Sequence, residues 1–139
     1  MLTRVLFAAF LLVGAAGSVS AQDTTVVALG LTDHVVTEDE LVSGADLAPP
    51  RFNSPGVAYV LVAHAQKGDK IEIHLTKDGE SLMHNVRALD ADEDGVLVLA
   101  GKTGVPAGGW PDGKYTAKVK VTRGGETLAE QETDAIPFE

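Results

Sequence analysis

The sequence contains no cysteine. Disulfides, thiolate metal sites and thiol nucleophiles are therefore excluded, and a folded domain has to be stabilised by its hydrophobic core alone. Basic residues are also scarce, with 11 Lys and Arg against 20 Asp and Glu and a net charge of −9. Because nucleic acids and anionic membrane surfaces attract proteins through basic patches, this charge balance argues against both as partners.

Long apolar runs are confined to the start of the chain. Arg4 precedes an apolar run at residues 5–13, which is too short for the roughly 20 residues that a membrane-spanning helix needs. Small residues follow and end in Val-Ser-Ala at 19–21, a pattern typical of a signal peptidase site. We predict a signal peptide at 1–21 and a single domain at 22–139, periplasmic or secreted and without a membrane span after cleavage. An uncleaved N-terminal anchor is the alternative.

The remaining sequence consists of short strand-like runs separated by turn residues. The runs are continuously apolar, or they alternate apolar and polar residues with a period of two, as strands with a buried face do. They cover residues 25–31, 57–65, 70–76, 96–100 and 114–123, followed by a closing segment at 126–138. In the run 114–123, the side chains predicted to point inward are Tyr115, Ala117, Val119 and Val121.

Asp78-Gly79 lies between two alternating runs and predicts a tight hairpin, because a type I′ turn needs positive φ at both central positions. A regular two-residue closure keeps apolar residues on one face. The predicted pairs are Lys77 with Glu80, Leu75 with Leu82, Ile73 with His84 and Ile71 with Val86. This register places His84 on the apolar face, and it places His74 opposite Met83 on the other face.

Helical signals are weak, since the one candidate is Thr37 to Val42, where Thr37 and Glu40 form a capping box. No amphipathic helix of 10–15 residues separates the strands, which excludes a parallel α/β fold. We predict an all-β protein built as a two-sheet antiparallel sandwich of about seven strands.

Residues 110–115 (Trp-Pro-Asp-Gly-Lys-Tyr) lead directly into an alternating strand. This resembles the tyrosine corner of immunoglobulin-like domains, where a Tyr at the start of a late strand bonds to upstream backbone, with a Gly two residues earlier. Gly113 and Tyr115 have that spacing, and Ala117 stands where antibody-type domains have cysteine. Residues 57–138 are thus similar to the disulfide-free immunoglobulin-like or fibronectin-like domains of bacterial exported proteins. The resemblance implies an immunoglobulin-like β-sandwich and an adaptor, accessory or binding role.

Asp90, Asp92 and Asp94, followed by Gly95, match the opening D-x-D-x-D-G of a calcium-binding loop. A calcium hand needs a bidentate Glu at the twelfth position, which is Gly101 here, and it needs flanking helices. A true hand is excluded, and two interpretations are left open. The segment is a weak, partly hydrated Ca²⁺ site, or it is a solvated acidic turn between two strands.

Histidine is the commonest metal-ligating side chain available to a cysteine-free protein, and this chain has His34, His64, His74 and His84. In the predicted register His74 and His84 point to opposite faces, which argues against a shared metal unless the register slips by one residue. A copper contact from His74 and Met83, on one face, is one interpretation. Separate surface or half-buried histidines are the other.

Trp110 is the only tryptophan and follows a glycine-rich stretch at 101–109. It is predicted either to cover the open end of the sandwich or to be an exposed anchor for a partner or a sugar ring, beside a loop able to move. Gly101-Lys102-Thr103 is not a phosphate loop, because glycines and a proline follow where a helix would have to begin.

No motif for nucleophilic catalysis is present, since the few serines do not sit on a strand-to-helix turn. Acidic residues fall in turns or on solvated strand faces rather than in a shaped cleft. We expect a non-enzymatic exported binding or protein-interaction module without a cofactor, whose partner is another envelope protein. The alternative is a metal-handling protein that uses calcium at the acidic turn or copper at the His/Met pair.

Overall fold

The computed structural model describes residues 23–139, so the predicted signal peptide at 1–21 lies outside the described residues. Seven strands and one short helix follow one another along this part of the chain. They are β1 (Thr25–Thr32), α1 (Glu38–Val42), β2 (Gly56–Ala65), β3 (Asp69–Lys77), β4 (Glu80–Ala88), β5 (Glu93–Lys102), β6 (Tyr115–Arg123) and β7 (Glu126–Glu132). Within residues 23–139, no helix is long and apolar enough to cross a membrane.

The strands form two antiparallel sheets, with the orders β1-β2-β5 and β4-β3-β6-β7. The inward side chains of both sheets meet in one buried core. Val60 and Val98 represent the three-stranded sheet, and Ile73 and Val119 the four-stranded sheet. The prediction of an all-β, seven-stranded, two-sheet antiparallel sandwich is confirmed.

Aromatic side chains close the end of the sandwich where β6 begins. Tyr115 is fully buried, and its hydroxyl donates to the backbone oxygen of Pro111 at 2.6 Å, as the sequence predicted. The ring of Tyr115 stacks on Phe138, with ring centroids 3.9 Å apart. Trp110 packs edge-on against both rings, so the last residues of the chain are held against the core.

The outer face of the three-stranded sheet is covered. Val57 and Leu61 alternate with the core residues of β2 and therefore point away from the core, yet they are only 2% and 4% exposed. The connection at 33–54 contacts this face at both ends of β2. Near the start of β2, the Thr32 hydroxyl donates to the backbone oxygen of Ala48 at 3.0 Å. The Glu38 carboxylate of α1 sits directly above Gly95 of β5, where even a Cβ atom would come within 2.5 Å of it. The long connection thus serves as a cover for one sheet.

Helix α1 begins as the sequence predicted. Thr37 is its N-cap, the Thr37 side chain accepts from the Glu40 amide, and the Glu40 side chain accepts from the Thr37 amide. This capping box satisfies backbone donors at the first turn, which allows a helix of only five residues to form.

The β3–β4 hairpin has the predicted turn but not the predicted register. Asp78 and Gly79 have φ of 51° and 87°, as a type I′ turn requires, and the closing pair is Lys77 with Glu80. Beyond the turn Leu82 is an extra residue in β4, which makes a β-bulge. The observed pairs are Leu75 with Met83, His74 with His84, Ile73 with Asn85 and Ile71 with Arg87. The predicted pairing of Leu75, Ile73 and Ile71 was therefore wrong by one residue.

The edge position of β4 explains the bulge. Met83 faces inward and packs against the core, while Asn85 Nδ2 donates to the backbone oxygen of Leu99 on β5 at 3.0 Å. Arg87 Nη2 lies 2.7 Å from Glu93 Oε2, also on β5. The inner side of this edge strand therefore faces the rim of the other sheet, where polar groups find partners, and His84 turns to the outer side.

Candidate functional site

The outward side chains of the four-stranded sheet form a polar surface, which we call the outer face. It combines hydroxyl, imidazole, carboxylate and ammonium groups around a groove of about 300 Å³. The lining of the groove includes Glu72, His74, Thr76, Ser81, Lys118, Lys120 and Glu130. Because neighbouring strands pair in antiparallel register, each of these side chains has a defined neighbour across the sheet.

Two rows of side chains cross the outer face. One row runs from His84 on β4 through His74 and Lys118 to Glu132 on β7, and the other from Val86 through Glu72 and Lys120 to Glu130. The lysines of β6 are therefore flanked by carboxylates on both sides in one row and on one side in the other. Opposite charges facing each other across strands stabilise the sheet modestly, and they leave a surface of mixed charge.

His74 is the most connected side chain of the outer face. Its Nε2 lies 2.9 Å from Glu72 Oε2, and its Nδ1 lies 2.6 Å from Ser81 Oγ. Its ring stacks on that of His84, with centroids 5.4 Å apart and 25° between the planes. The hydrogen bond from His74 lowers the pKa of Glu72 below its usual value, against the opposing effect of burial and with help from the nearby charges of His74, Lys70 and His84. Glu72 is thus an ionised acceptor that orients the imidazole.

Buried hydroxyls form the floor beside this cluster. Thr76 and Thr116 point outward from β3 and β6 but are only 4% and 7% exposed, and their hydroxyls hydrogen-bond to each other. Thr116 Oγ1 also donates to Glu132 Oε2 at 2.9 Å. The chain of hydroxyls ends on a carboxylate, so these buried donors are satisfied, as buried polar groups need to be.

Ser81, His74 and Glu72 are connected in the order nucleophile, base and acid, but their setting does not favour acyl transfer. In serine hydrolases the ring faces the serine with Nε2, whereas here Nδ1 faces Ser81. Ser81 is exposed, and the groove is open to water. Transition-state stabilisation depends on donors in a site from which water is excluded, so we assign these contacts to orienting His74.

Two residues of the acidic segment at Asp90, Asp92 and Asp94 take part in the secondary structure or its hydrogen bonds. Asp92 Oδ1 accepts from the Lys67 amide at 2.8 Å, and strand β5 already begins at Glu93, so that Asp94 lies in a strand rather than in a turn. In the described part of the chain, no group of three or more His, Cys, Asp or Glu side chains is placed to hold a metal ion. Calcium binding at this segment stays a prediction.

Trp110 lies in the core rather than on the surface. Its side chain is 5% exposed, and its indole nitrogen donates to the backbone oxygen of Ser54 at 2.8 Å. Of the two sequence-based interpretations, covering the end of the sandwich fits this burial, whereas an exposed anchor for a partner does not. The indole contacts Tyr115, Phe138 and the Ser54 backbone, which are distant from it in sequence or follow it along the chain. The local sequence around Trp110 therefore left both interpretations open.

The four histidines are distributed differently from the expectation. Met83 faces inward, so it does not share a face with His74, and the predicted His/Met copper pair is not assembled. The bulge at Leu82 instead brings His74 and His84 together. His34 lies apart, 2.9 Å from Asp33 and 2.8 Å from Glu40, and these two hydrogen bonds raise its pKa above the usual value.

Lys118, Lys120 and Glu130 were not singled out from the sequence. Alternation in the run 114–123 indicates that both lysines point outward, but only the strand order shows that β6 lies between β3 and β7. Their position beside His74 depends on pairing between segments more than forty residues apart, as between His74 and Lys118. No local signal carries this information.

Taken together, the fold and the outer face define a small β-sandwich with one covered sheet and one polar, accessible sheet. No protein-family model matches the chain, and no similar protein was found among curated proteins or among solved structures.

Proposed function

We propose that this chain is an exported, non-enzymatic binding module that contacts another envelope protein through the outer face of its four-stranded sheet. The observation that carries this proposal is the difference between the two sheets. One has buried side chains on its outer face and contacts there from Glu38 and Ala48 of the connection at 33–54. The other presents ordered rows of charged side chains around a groove. The open face is the larger sheet surface available to a partner.

The chemistry of the outer face favours a polar protein partner of complementary charge. Lys118 and Lys120 are flanked by Glu72, Glu130 and Glu132, so the surface has alternating charge columns rather than a field of one sign. Such a pattern fixes the register of a partner and speeds encounter at low salt. The negative net charge of the whole chain argues against nucleic acid and anionic lipid.

An immunoglobulin-like classification supports the same role. Within residues 23–139 the fold has seven strands in sheets of three and four, and the Tyr115 hydroxyl donates to the backbone four residues upstream, as in a tyrosine corner. We propose that the domain belongs to this architecture, with β4 paired to β3 rather than to β5. Architecture alone does not define activity, so the outer face remains the basis of the proposal.

Charge reversal on β6 tests the proposal. A Lys118→Glu, Lys120→Glu double variant should lose a partner captured from an envelope extract in low salt, because two cations become anions beside existing carboxylates. Capture by the unchanged chain should weaken as salt rises, since exposed charges are screened within about 10 Å at 0.1 M salt.

The matched control is Lys67→Glu, Lys102→Glu, which makes the same change in net charge at exposed positions away from the outer face. This variant should retain the partner. Equal retention by both variants, or equal loss, would remove the outer face as the contact surface. Circular dichroism of each variant shows that the sheets are intact.

A further inference from the structure

The bulge in β4 creates a pair of imidazoles on the outer face. His74 and His84 stand directly opposite each other on β3 and β4, and their rings are stacked with centroids 5.4 Å apart. Side chains directly opposite on antiparallel strands have Cβ atoms about 4.5–5.5 Å apart. Rotation about the side-chain torsions would let both imidazoles reach one metal ion at the usual metal–nitrogen distance of about 2.0 Å.

The surroundings of His74 prepare one of its nitrogens as a ligand. A carboxylate oxygen accepts hydrogen bonds, so the 2.9 Å contact of Glu72 Oε2 with Nε2 places the proton of the neutral ring on Nε2. Nδ1 then carries a lone pair that accepts from the exposed Ser81 hydroxyl, and a metal ion at Nδ1 would replace this hydrogen bond. A carboxylate on the far nitrogen of a metal-binding imidazole fixes the tautomer and raises its basicity. Glu72 occupies that position.

The ring of His84 is available as the second ligand. It is on the exposed side of β4, and within residues 23–139 its ring nitrogens make no hydrogen bond to protein. Lys118 is the next residue across from His74 and opposes a bound cation, but Glu132 pairs with it in register and Glu72 lies beside the site. At an exposed position water screens the repulsion from one cation, so it does not prevent binding.

We propose that His74 and His84 form an open binding site for a divalent transition-metal ion that prefers imidazole, with Cu²⁺ bound more tightly than Zn²⁺ or Ni²⁺. The order follows from the general ranking of these ions at nitrogen ligands. His74 Nδ1 and one ring nitrogen of His84 are the protein ligands, and Glu72 is a positioning residue. Because no third His, Cys, Asp or Glu converges on the pair in the described residues, water completes the coordination. Calcium is not expected here, since it takes oxygen ligands.

This site lies on the same outer face as the proposed partner contact, but it does not rest on that proposal and its test needs no partner. The full exported chain, prepared without a histidine tag, is titrated with Cu²⁺ at neutral pH. Electron paramagnetic resonance should show coupling to two imidazole nitrogens in one bound ion, and the melting temperature should rise with Cu²⁺, because an ion that binds only the folded state stabilises it. A chelator should reverse the shift.

Substitutions identify the ligands. His84→Gln should weaken Cu²⁺ binding at least tenfold and leave coupling to a single imidazole nitrogen. Glu72→Gln should keep two coupled nitrogens but weaken binding by about 10- to 100-fold, as the loss of an outer-shell carboxylate does. If Glu72 had only a structural role, a Glu72→Gln variant that melts like the unchanged chain would bind Cu²⁺ with unchanged affinity.

Two control variants remove imidazoles elsewhere. His64 has φ of 58°, a conformation that Asn tolerates, so His64→Asn is the matched control on β2. His34→Gln removes the ring held between Asp33 and Glu40. Both should bind Cu²⁺ as the unchanged chain does. Loss of binding in His34→Gln with retention in His84→Gln, or no two-nitrogen signal in the unchanged chain, would overturn the proposal.

Discussion

Tyr115 shows how a single buried polar atom organises one end of the sandwich. Its ring is fully buried, it stacks on Phe138, and its hydroxyl reaches the backbone oxygen of Pro111 at 2.6 Å. Burial raises the pKa of Tyr115, so the phenol stays a neutral donor. The hydrogen bond therefore ties the loop before β6 to the strand itself, at a point where water has no access to the ring.

Replacing this one oxygen tests its contribution. Tyr115→Phe keeps the stacking but leaves the Pro111 carbonyl without its donor, so we expect the free energy of unfolding to fall by about 1–2 kcal/mol. Tyr59→Phe is the control, because the Tyr59 hydroxyl lies against Gly30 and makes no hydrogen bond within residues 23–139. Its effect should stay within about 0.5 kcal/mol. Urea denaturation measures both, and equal losses would contradict the role of the Pro111 contact.

At the scale of elements, strands and turns could be predicted from local sequence, but the register of β4 could not. Asp78-Gly79 defined the hairpin, and period-two alternation defined β3 and β6. For β4, the two possible faces are Leu82, His84 and Val86 or Met83, Asn85 and Arg87. The first is more apolar and was preferred, yet Leu82 and Val86 are 44% and 43% exposed. The inner side of an edge strand faces the other sheet's rim, and only the strand order reveals this.

The same limit applies to the candidate site. His74 was correctly predicted on the outer side of β3, and a slip of one residue was the condition under which His84 would lie beside it. Leu82, the residue that causes this slip, has no distinctive signature in a strand. The groove also needs β6 beside β3, a pairing set by the burial of whole sheets rather than by any motif.

Asp69 and Arg123 connect β3 to β6 at the opposite end from Tyr115. Asp69 has no exposed surface, and its carboxylate receives Arg123 Nε at 2.6 Å and Arg123 Nη2 at 3.1 Å. The Gln66 amide and the Thr24 hydroxyl donate to the same carboxylate. Burial opposes ionisation, but these donors outweigh it and lower the pKa of Asp69. A carboxylate with all its acceptors engaged is thus held ionised inside the fold.

This ion pair should make the free energy of unfolding depend on pH in the acidic range. In unfolded chains the pKa of Asp is about 3.9, and the folded value is lower, so the stabilisation is present above that value and is lost as pH falls through the folded pKa. At about pH 7, Asp69→Asn should lower the free energy of unfolding by about 2–3 kcal/mol. The loss is moderated because Arg123 is 37% exposed. The difference from the unchanged chain should shrink steadily in urea unfolding below about pH 4.

An exposed ion pair supplies the comparison for Asp69. Glu93→Gln removes the partner of Arg87, whose side chain is 46% exposed, and such pairs contribute about 0–1 kcal/mol. If Asp69→Asn cost no more than Glu93→Gln, or if its cost were the same in acid as at neutral pH, the ion pair would not be the source of stability that its burial indicates.

At the scale of the whole molecule, the outer faces of the two sheets differ in their exposure to solvent. A chain without disulfides depends on a continuous core, and the aromatic cluster extends this core to the end where β2 and β6 begin. The connection at 33–54 contacts the outer face of one sheet through Glu38 and Ala48, and the outer face of the other sheet is the one proposed to contact a partner. Trp110 was a candidate for contact with a partner from sequence, but it belongs to the stabilising part of this division. Binding and stability should therefore be separable by mutation.

Trp110→Ala tests that separation. The indole fills the end of the core between Gly56, Phe138 and Tyr115 and donates to Ser54. Truncation should lower the free energy of unfolding by about 3–5 kcal/mol and should lower the melting temperature accordingly. Val105→Ala, at a 47% exposed position of the same loop, should change it by no more than about 0.5 kcal/mol. The Lys118→Glu, Lys120→Glu variant should show the reverse pattern, with near-normal melting and lost capture of the partner. A Trp110→Ala protein that melts like the unchanged chain but fails to capture the partner would instead make Trp110 a contact residue.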